Sequence, residues 1–154
     1  MFTNCIITMK KILFLFLSVT FIMTVSSCSK DDDKADVNFI TAKFNGVEER
    51  FTIISVSLVD YDTYTDVVVR ATPNNEPTKI VTIGSEFGIT GLNKIWGFYY
   101  ETLDEYYEST NGDFISNITK NSNGNYAATF SGSIIEENTG SVIMITDGSF
   151  NIIY

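Results

Sequence analysis

The sequence predicts an all-β domain, a single antiparallel β-sandwich with a small barrel as the alternative, behind a short N-terminal leader and tether. Three observations carry this. From Val37 onward, β-branched and aromatic runs of four to eight residues alternate with turn residues, and no 3.6-residue apolar period is present. Asn-Gly and Asp-Gly pairs fall between such runs at Asn45-Gly46, Asn111-Gly112, Asn123-Gly124 and Asp147-Gly148. Aromatic residues make up 14 % of the chain, enough to fill a core in a sequence whose mature part retains no cysteine pair.

The elements follow in order. Asn38 to Phe44 places Ile40, Ala42 and Phe44 on one face, and Asn45-Gly46 supplies a two-residue hairpin turn into Val47 to Thr52. Ile54, Val56 and Leu58 alternate with Ser55 and Ser57, the pattern of a half-buried strand. Tyr61 to Thr65 form a polar tip before Val67 to Ala71, and Pro73 to Pro77 form a loop. Lys79 to Ile83 form a further strand, linked through Gly88 and Gly91 to the aromatic run Lys94 to Glu101. Leu103 to Tyr107 is the one segment compatible with a helical turn. Asp113 to Lys120 and Asn125 to Ile135 pair across Ser122-Asn123-Gly124, and Ser141 to Thr146 and Ser149 to Tyr154 flank a turn at Asp147-Gly148. Eight to ten strands at this spacing imply a sandwich, or a small calycin-like barrel. The stripes Ile40-Ala42-Phe44 and Ile54-Val56-Leu58 are expected in the core, against Phe130 and Phe150.

Residues 1–27 have the make-up of a signal peptide. Lys10 and Lys11 precede the apolar run Ile12 to Met23, which is short for a membrane span, since that needs roughly 20 apolar residues. Met9, directly before the two lysines, is the more natural start, with Met1 as the alternative. Val25-Ser26-Ser27-Cys28 resembles a bacterial lipobox, an aliphatic residue and two small ones before the cysteine whose sulfur takes the lipid. Cys28 is thus the expected lipidation site and the lipid bilayer the expected partner; palmitate-type acyl chains in number make such attachment durable. Residues 28–36 continue as Ser29-Lys30-Asp31-Asp32-Asp33-Lys34-Ala35-Asp36, a solvated tether. Cys28 to Asp33 is similar to the lipoprotein export signal of Bacteroidota, which implies the outer face of the outer membrane, with a periplasm-facing anchor as the alternative. Residues 37–154 are the β domain. Ile40-Thr41-Ala42-Lys43-Phe44-Asn45-Gly46, Thr129-Phe130-Ser131-Gly132-Ser133 and Ile145-Thr146-Asp147-Gly148-Ser149-Phe150 resemble a family of small flavobacterial-type lipoproteins with a β-rich domain of unknown function. That family lends location and fold but no activity.

Composition excludes several chemistries. The formal charge is −9, from 10 basic and 19 acidic residues, which opposes nucleic-acid binding. There is no histidine, hence no Ser-His-Asp triad and no imidazole ligand. Of the two cysteines, Cys5 lies in the leader and Cys28 takes lipid, so no disulfide and no thiolate cluster are expected. Asp60, Asp62 and Asp66 crowd a tip, but an EF-hand requires glycine where Thr65 stands and glutamate where Ala71 stands; a solvated acidic turn is expected, with no metal. Asn117-Ile118-Thr119 matches a glycosylation pattern without meaning in a bacterial strand. Glu101, Asp104, Glu105, Glu108, Glu136 and Glu137 sit in polar contexts that do not suggest glycosidase chemistry, and neither an enzyme nor a cofactor is expected.

The aromatic run is the candidate binding site. Trp96, Tyr99, Tyr100 and Tyr106 are its residues, with Glu101 or Asp104 as hydrogen-bonding partners for sugar hydroxyls. Strict alternation puts Trp96, Phe98 and Tyr100 on one face and Tyr99 with Glu101 on the other. The functional expectation is a non-catalytic surface module for a glycan or protein ligand. The alternative is a structural envelope lipoprotein with no specific ligand.

Overall fold

A computed structural model describes residues 37–73 and 76–154, apart from the side chain of Asn111. The expected signal peptide, the expected lipidation site Cys28 and the acidic tether lie outside the described residues. Among those described, every regular element is a strand: β1 (Phe39–Phe44), β2 (Val47–Asp60), β3 (Thr65–Pro73), β4 (Ile80–Glu86), β5 (Gly91–Leu92), β6 (Ile95–Glu101), β7 (Tyr106–Ser122), β8 (Asn125–Glu136) and β9 (Val142–Ile153). None of these residues lies in a helix long and apolar enough to cross a membrane.

Local turn chemistry sets the pairing. Asn45 and Gly46 have φ of 50° and 84°, and Asn123 and Gly124 have 52° and 72°, the doubly positive pattern of a type I′ turn. Such turns leave their flanking strands as antiparallel neighbours, Phe44 opposite Val47 and Ser122 opposite Asn125. The same neighbour-to-neighbour logic runs through the chain, giving the order β7-β6-β4-β3-β2-β1-β9-β8, and β8 pairs back to β7. The sheet is therefore closed: eight antiparallel strands form a barrel, in place of the expected sandwich. A sandwich leaves open edges on two sheets, whereas here β8 hydrogen-bonds to β9 on one side and to β7 on the other.

β5 is the irregular piece. β6 occupies one edge of β7 at Tyr106–Glu108, and further along that edge β5 takes over, Gly91 opposite Ile118 and Leu92 opposite Asn117. Side chains bridge the divergence between β6 and β7. Phe98 N–H donates to Ser109 Oγ (3.1 Å), Ile95 N–H donates to Ser116 Oγ (3.3 Å), and Ser116 N–H donates to Asn93 Oδ1 (3.2 Å).

Side chains fill the inside, as the dimensions of an eight-strand barrel permit. Ile40, Ala42 and Phe44 point inward as expected, as do Phe130 and Phe150. Phe98, Phe114 and Phe130 form a cluster with ring centroids 5.2–5.9 Å apart, and Phe150 joins it to Tyr126 at 4.6 Å.

Four expectations about elements are corrected. The Ile54-Val56-Leu58 stripe is not buried as a unit: β2 shifts register between Ile53 and Ser55, so Ile54 turns outward, Val56 packs partly inward, and Leu58 is half exposed where β2 nears its end. Asp147-Gly148 is not a hairpin turn but part of an irregularity within the single strand β9. A side chain at Gly148 would collide with the Phe130 ring, which packs against that backbone. Asn111-Gly112 likewise lies within β7, where register slips between Ser109 and Phe114. Leu103 to Tyr107 form no helix. Thr102 Oγ1 accepts from Glu105 N–H (3.0 Å) and closes a turn into β7.

Candidate functional site

The aromatic run reaches the surface by a different route from strict alternation. On the β4–β6 ladder Gly84 pairs with Gly97 but Ser85 pairs with Ile95, so Trp96 is an extra residue in β6. The bulge reverses its direction. Trp96 points outward, 52 % exposed, on the same side as Tyr99, while Phe98 and Tyr100 point inward. Tyr100 is therefore a core residue, packed on Phe44 at 5.1 Å and Tyr107 at 6.0 Å, and leaves the candidate site.

What supports the outer rings is the pair Gly84 and Gly97. A Cβ on Gly84 would lie 2.3–2.7 Å from indole atoms of Trp96, and one on Gly97 would lie 2.6–2.9 Å from ring atoms of Tyr99. The two rings thus lie against bare backbone. Trp96 and Tyr99 meet edge-on at 6.4 Å, and Tyr99 stacks on Tyr106 at 5.8 Å with planes 25° apart. Trp96, Tyr99 and Tyr106 form one external platform across β6 and β7. Tyr106 stands opposite Glu101 in the ladder. Partial burial, then the neighbouring Tyr99 and the charges of Glu108, Glu101 and Glu137, push its hydroxyl above the ordinary phenol range, so it remains a neutral donor. Asp104 instead sits in the β6–β7 turn with its N–H directed to Thr102 Oγ1 (3.4 Å).

Beyond Trp96 the surface dips into a notch of about 430 Å³ lined by Tyr61, Tyr64, Asp66, Glu86 and Trp96. Tyr61 and Tyr64 belong to the β2–β3 turn, which closes with Tyr61 N–H donating to Tyr64 O (2.8 Å), and their rings stack at 4.8 Å. Asp66 on β3 stands directly opposite Glu86 on β4. The acidic tip is thus divided. Asp60 accepts from Thr65 Oγ1, whereas Asp66, 6 % exposed, faces the notch. Among the described residues no three acidic or thiol groups converge as metal ligands would.

Tyr61, Tyr64, Asp66 and Glu86 join the site from the β2–β3 turn and from β3 and β4, outside the aromatic run that the sequence singles out. The available signals were Tyr61 and Tyr64 three apart in a tip and glycines interrupting two adjacent strands, which mark close approach to the backbone.

A larger depression, about 690 Å³, lies across β5, β7, β8 and β9. Most of its lining residues are Ser, Thr or Asn, yet the surface they share with exposed Leu92 and Ile115 is largely apolar, and its acid, Asp147, is held by Lys43 at 2.8 Å. It offers less directional chemistry than the aromatic face. No protein-family model matches the chain, and no curated protein or solved structure shows significant similarity to it.

Proposed function

We propose that this protein is a membrane-anchored, non-catalytic lipoprotein, displayed at the outer-membrane surface through acylated Cys28, that holds glycans on the external aromatic platform of a calycin-like barrel. The observation that carries the reading is the row Trp96–Tyr99–Tyr106, whose rings lie on or beside a glycine floor with carboxylates along the margin. Sugar rings present flat C–H faces and a rim of hydroxyls. Rings held against a sheet accept the first, and Glu101, Glu108 and the Tyr106 hydroxyl accept or donate to the second. The eight-strand meander supports the calycin-like description. The packed interior favours a ligand on the outside, as aromatic side chains occupy the space a calyx would offer. The lipobox at Cys28, the tether, and the resemblance to small Bacteroidota lipoproteins support the location.

The test is a glycan array probed with the full chain in detergent, followed by titration of the strongest neutral oligosaccharide against parent and Tyr106→Ala. Removing an aromatic that anchors a ligand costs ~2 kcal/mol or more. Tyr106→Ala should therefore weaken binding by roughly 30-fold. No retained glycan, or equal affinity in the variant, rejects the platform and leaves the structural envelope role.

A further inference from the structure

We propose that the notch between the Tyr61–Tyr64 pair and Trp96 is a binding site for an organic ammonium group, so that among glycans on the platform the protein selects those bearing a free amine. The selection among glycans rests on the platform reading above; the ammonium site itself does not.

Asp66 is the starting point. It is more than nine-tenths buried, and no hydrogen bond or ion pair to its carboxylate is made among the described residues. Its carboxylate opens onto the notch, and no positive side chain among the described residues lines that notch to compensate it. The ladder partners of Asp66 are Val59 on the β2 side and a second acid, Glu86, on the β4 side, and like charges directly opposite each other in a ladder destabilise the sheet. The fold thus sets a buried acid, Asp66, beside an exposed one, Glu86, at a concave site. A bound cation would relieve that repulsion.

The walls decide which kind of cation. Tyr61, Tyr64 and Trp96 present π systems, whose negative faces attract cations and most strongly those with weak hydration. Calcium requires six to eight oxygen ligands, and two carboxylates among aromatic rings do not supply them. An ammonium suits both features, with N–H or polarised C–H groups toward Asp66 and Glu86 and its flanks against the rings. The notch volume of about 430 Å³ falls in the ~300–1,000 Å³ range of small-molecule sites. The formal charge of −9 raises the local concentration of cations in general. Trp96 belongs to both notch and platform, so a glycan amine entering the notch leaves the next sugar near Tyr99.

Trp96 is the sole tryptophan of the chain, so its emission reports on the notch directly. The full chain in detergent is titrated with tetramethylammonium chloride and, as control, sodium chloride at equal ionic strength. A saturable change with tetramethylammonium alone is expected. Asp66→Asn and Tyr64→Ala should each weaken it about tenfold, with Glu86→Gln as the second variant should Asp66→Asn fail to fold. Leu92→Ala, on the separate depression across β5 and β7, should leave it unchanged. A trisaccharide of β-linked glucosamine should bind about tenfold more tightly than its N-acetylated counterpart, and Asp66→Asn should abolish that preference. Tetramethylammonium acting no differently from sodium overturns the ammonium site, even where the acetylated trisaccharide binds. Tetramethylammonium binding without either sugar retains the site and rejects the glycan platform.

Discussion

Gly84→Ala tests the architecture of the aromatic face at a single methyl group. The added Cβ would sit 2.3 Å from the Trp96 indole, well inside contact distance, so the ring must lift or swing. Trp96 is 52 % exposed, so about half of its surface rests on the barrel. Half of the ~200 Å² that an aromatic side chain buries is ~100 Å², or ~2.5 kcal/mol at 25 cal/mol per Å². Against this, replacing glycine by alanine restricts the unfolded chain and returns ~0.4–1 kcal/mol. A net loss of about 2 kcal/mol follows, a measurable part of the 5–15 kcal/mol holding a typical domain. Urea unfolding gives the stability, and emission of the sole tryptophan gives the position of the ring, which should shift to the red as the indole leaves its seat. Gly46→Ala is the control. It has open space around the missing Cβ but φ of +84°, so it should cost ~1–2 kcal/mol through backbone strain while leaving the folded-state emission unchanged. If Gly84→Ala changes neither midpoint nor emission, Trp96 does not rest on the sheet and the platform is wrongly built.

Three further perturbations probe core, pH response and anchor. Phe130→Ala empties the centre of the Phe98–Phe114–Phe150 cluster and should cost ~3–5 kcal/mol in urea unfolding, whereas exposed Tyr61→Ala should cost under ~1 kcal/mol; similar losses would contradict the register. Hydrogen bonds from Thr139, then Asn138, hold the Glu136 carboxyl at about 2 despite its burial, below its ordinary 4.5. A carboxyl depressed on folding stabilises above its unfolded value and loses that contribution as pH falls from 4.5 through about 2, so the gap in midpoint between parent and Glu136→Gln should narrow over this range; a constant gap counts against the assignment. Cys28→Ala should move the protein from the detergent phase to the aqueous phase on phase separation, and continued detergent partitioning would exclude lipidation at that residue.

The elements legible in the sequence are those whose cause is local. Asn45-Gly46 and Asn123-Gly124 adopt the expected turns because both positions tolerate positive φ, and Ile40, Ala42 and Phe44 face inward as plain alternation requires. The failures share a cause. A bulge inserts one residue and reverses the facing of the residues beyond it, and it depends on the register of the partner strand as well as on the bulged sequence. Ile54 turns outward on that account, and so does Trp96, which alternation would have buried with Phe98. Closure is also nonlocal. Each hairpin signals only its own pair, while a barrel depends on tilt and stagger accumulated over all eight strands, down to the joining of β7 with β8.

The outer aromatics admit two roles, and the glycines separate them. Facing glycines weaken a sheet, and rings laid across them restore lost contact, so Trp96 and Tyr99 have a structural use without any ligand. That use consumes one face of each ring. It does not extend to Tyr61 and Tyr64, which cover neither glycine of this pair yet stack together beside the notch. Nor does it account for Asp66 and Glu86, two acids placed opposite each other in the ladder and lining the same notch, because shielding backbone calls for no charge. Shielding explains why the two rings lie on the sheet; the acids and the tyrosine pair are the part that the proposed ammonium site would use.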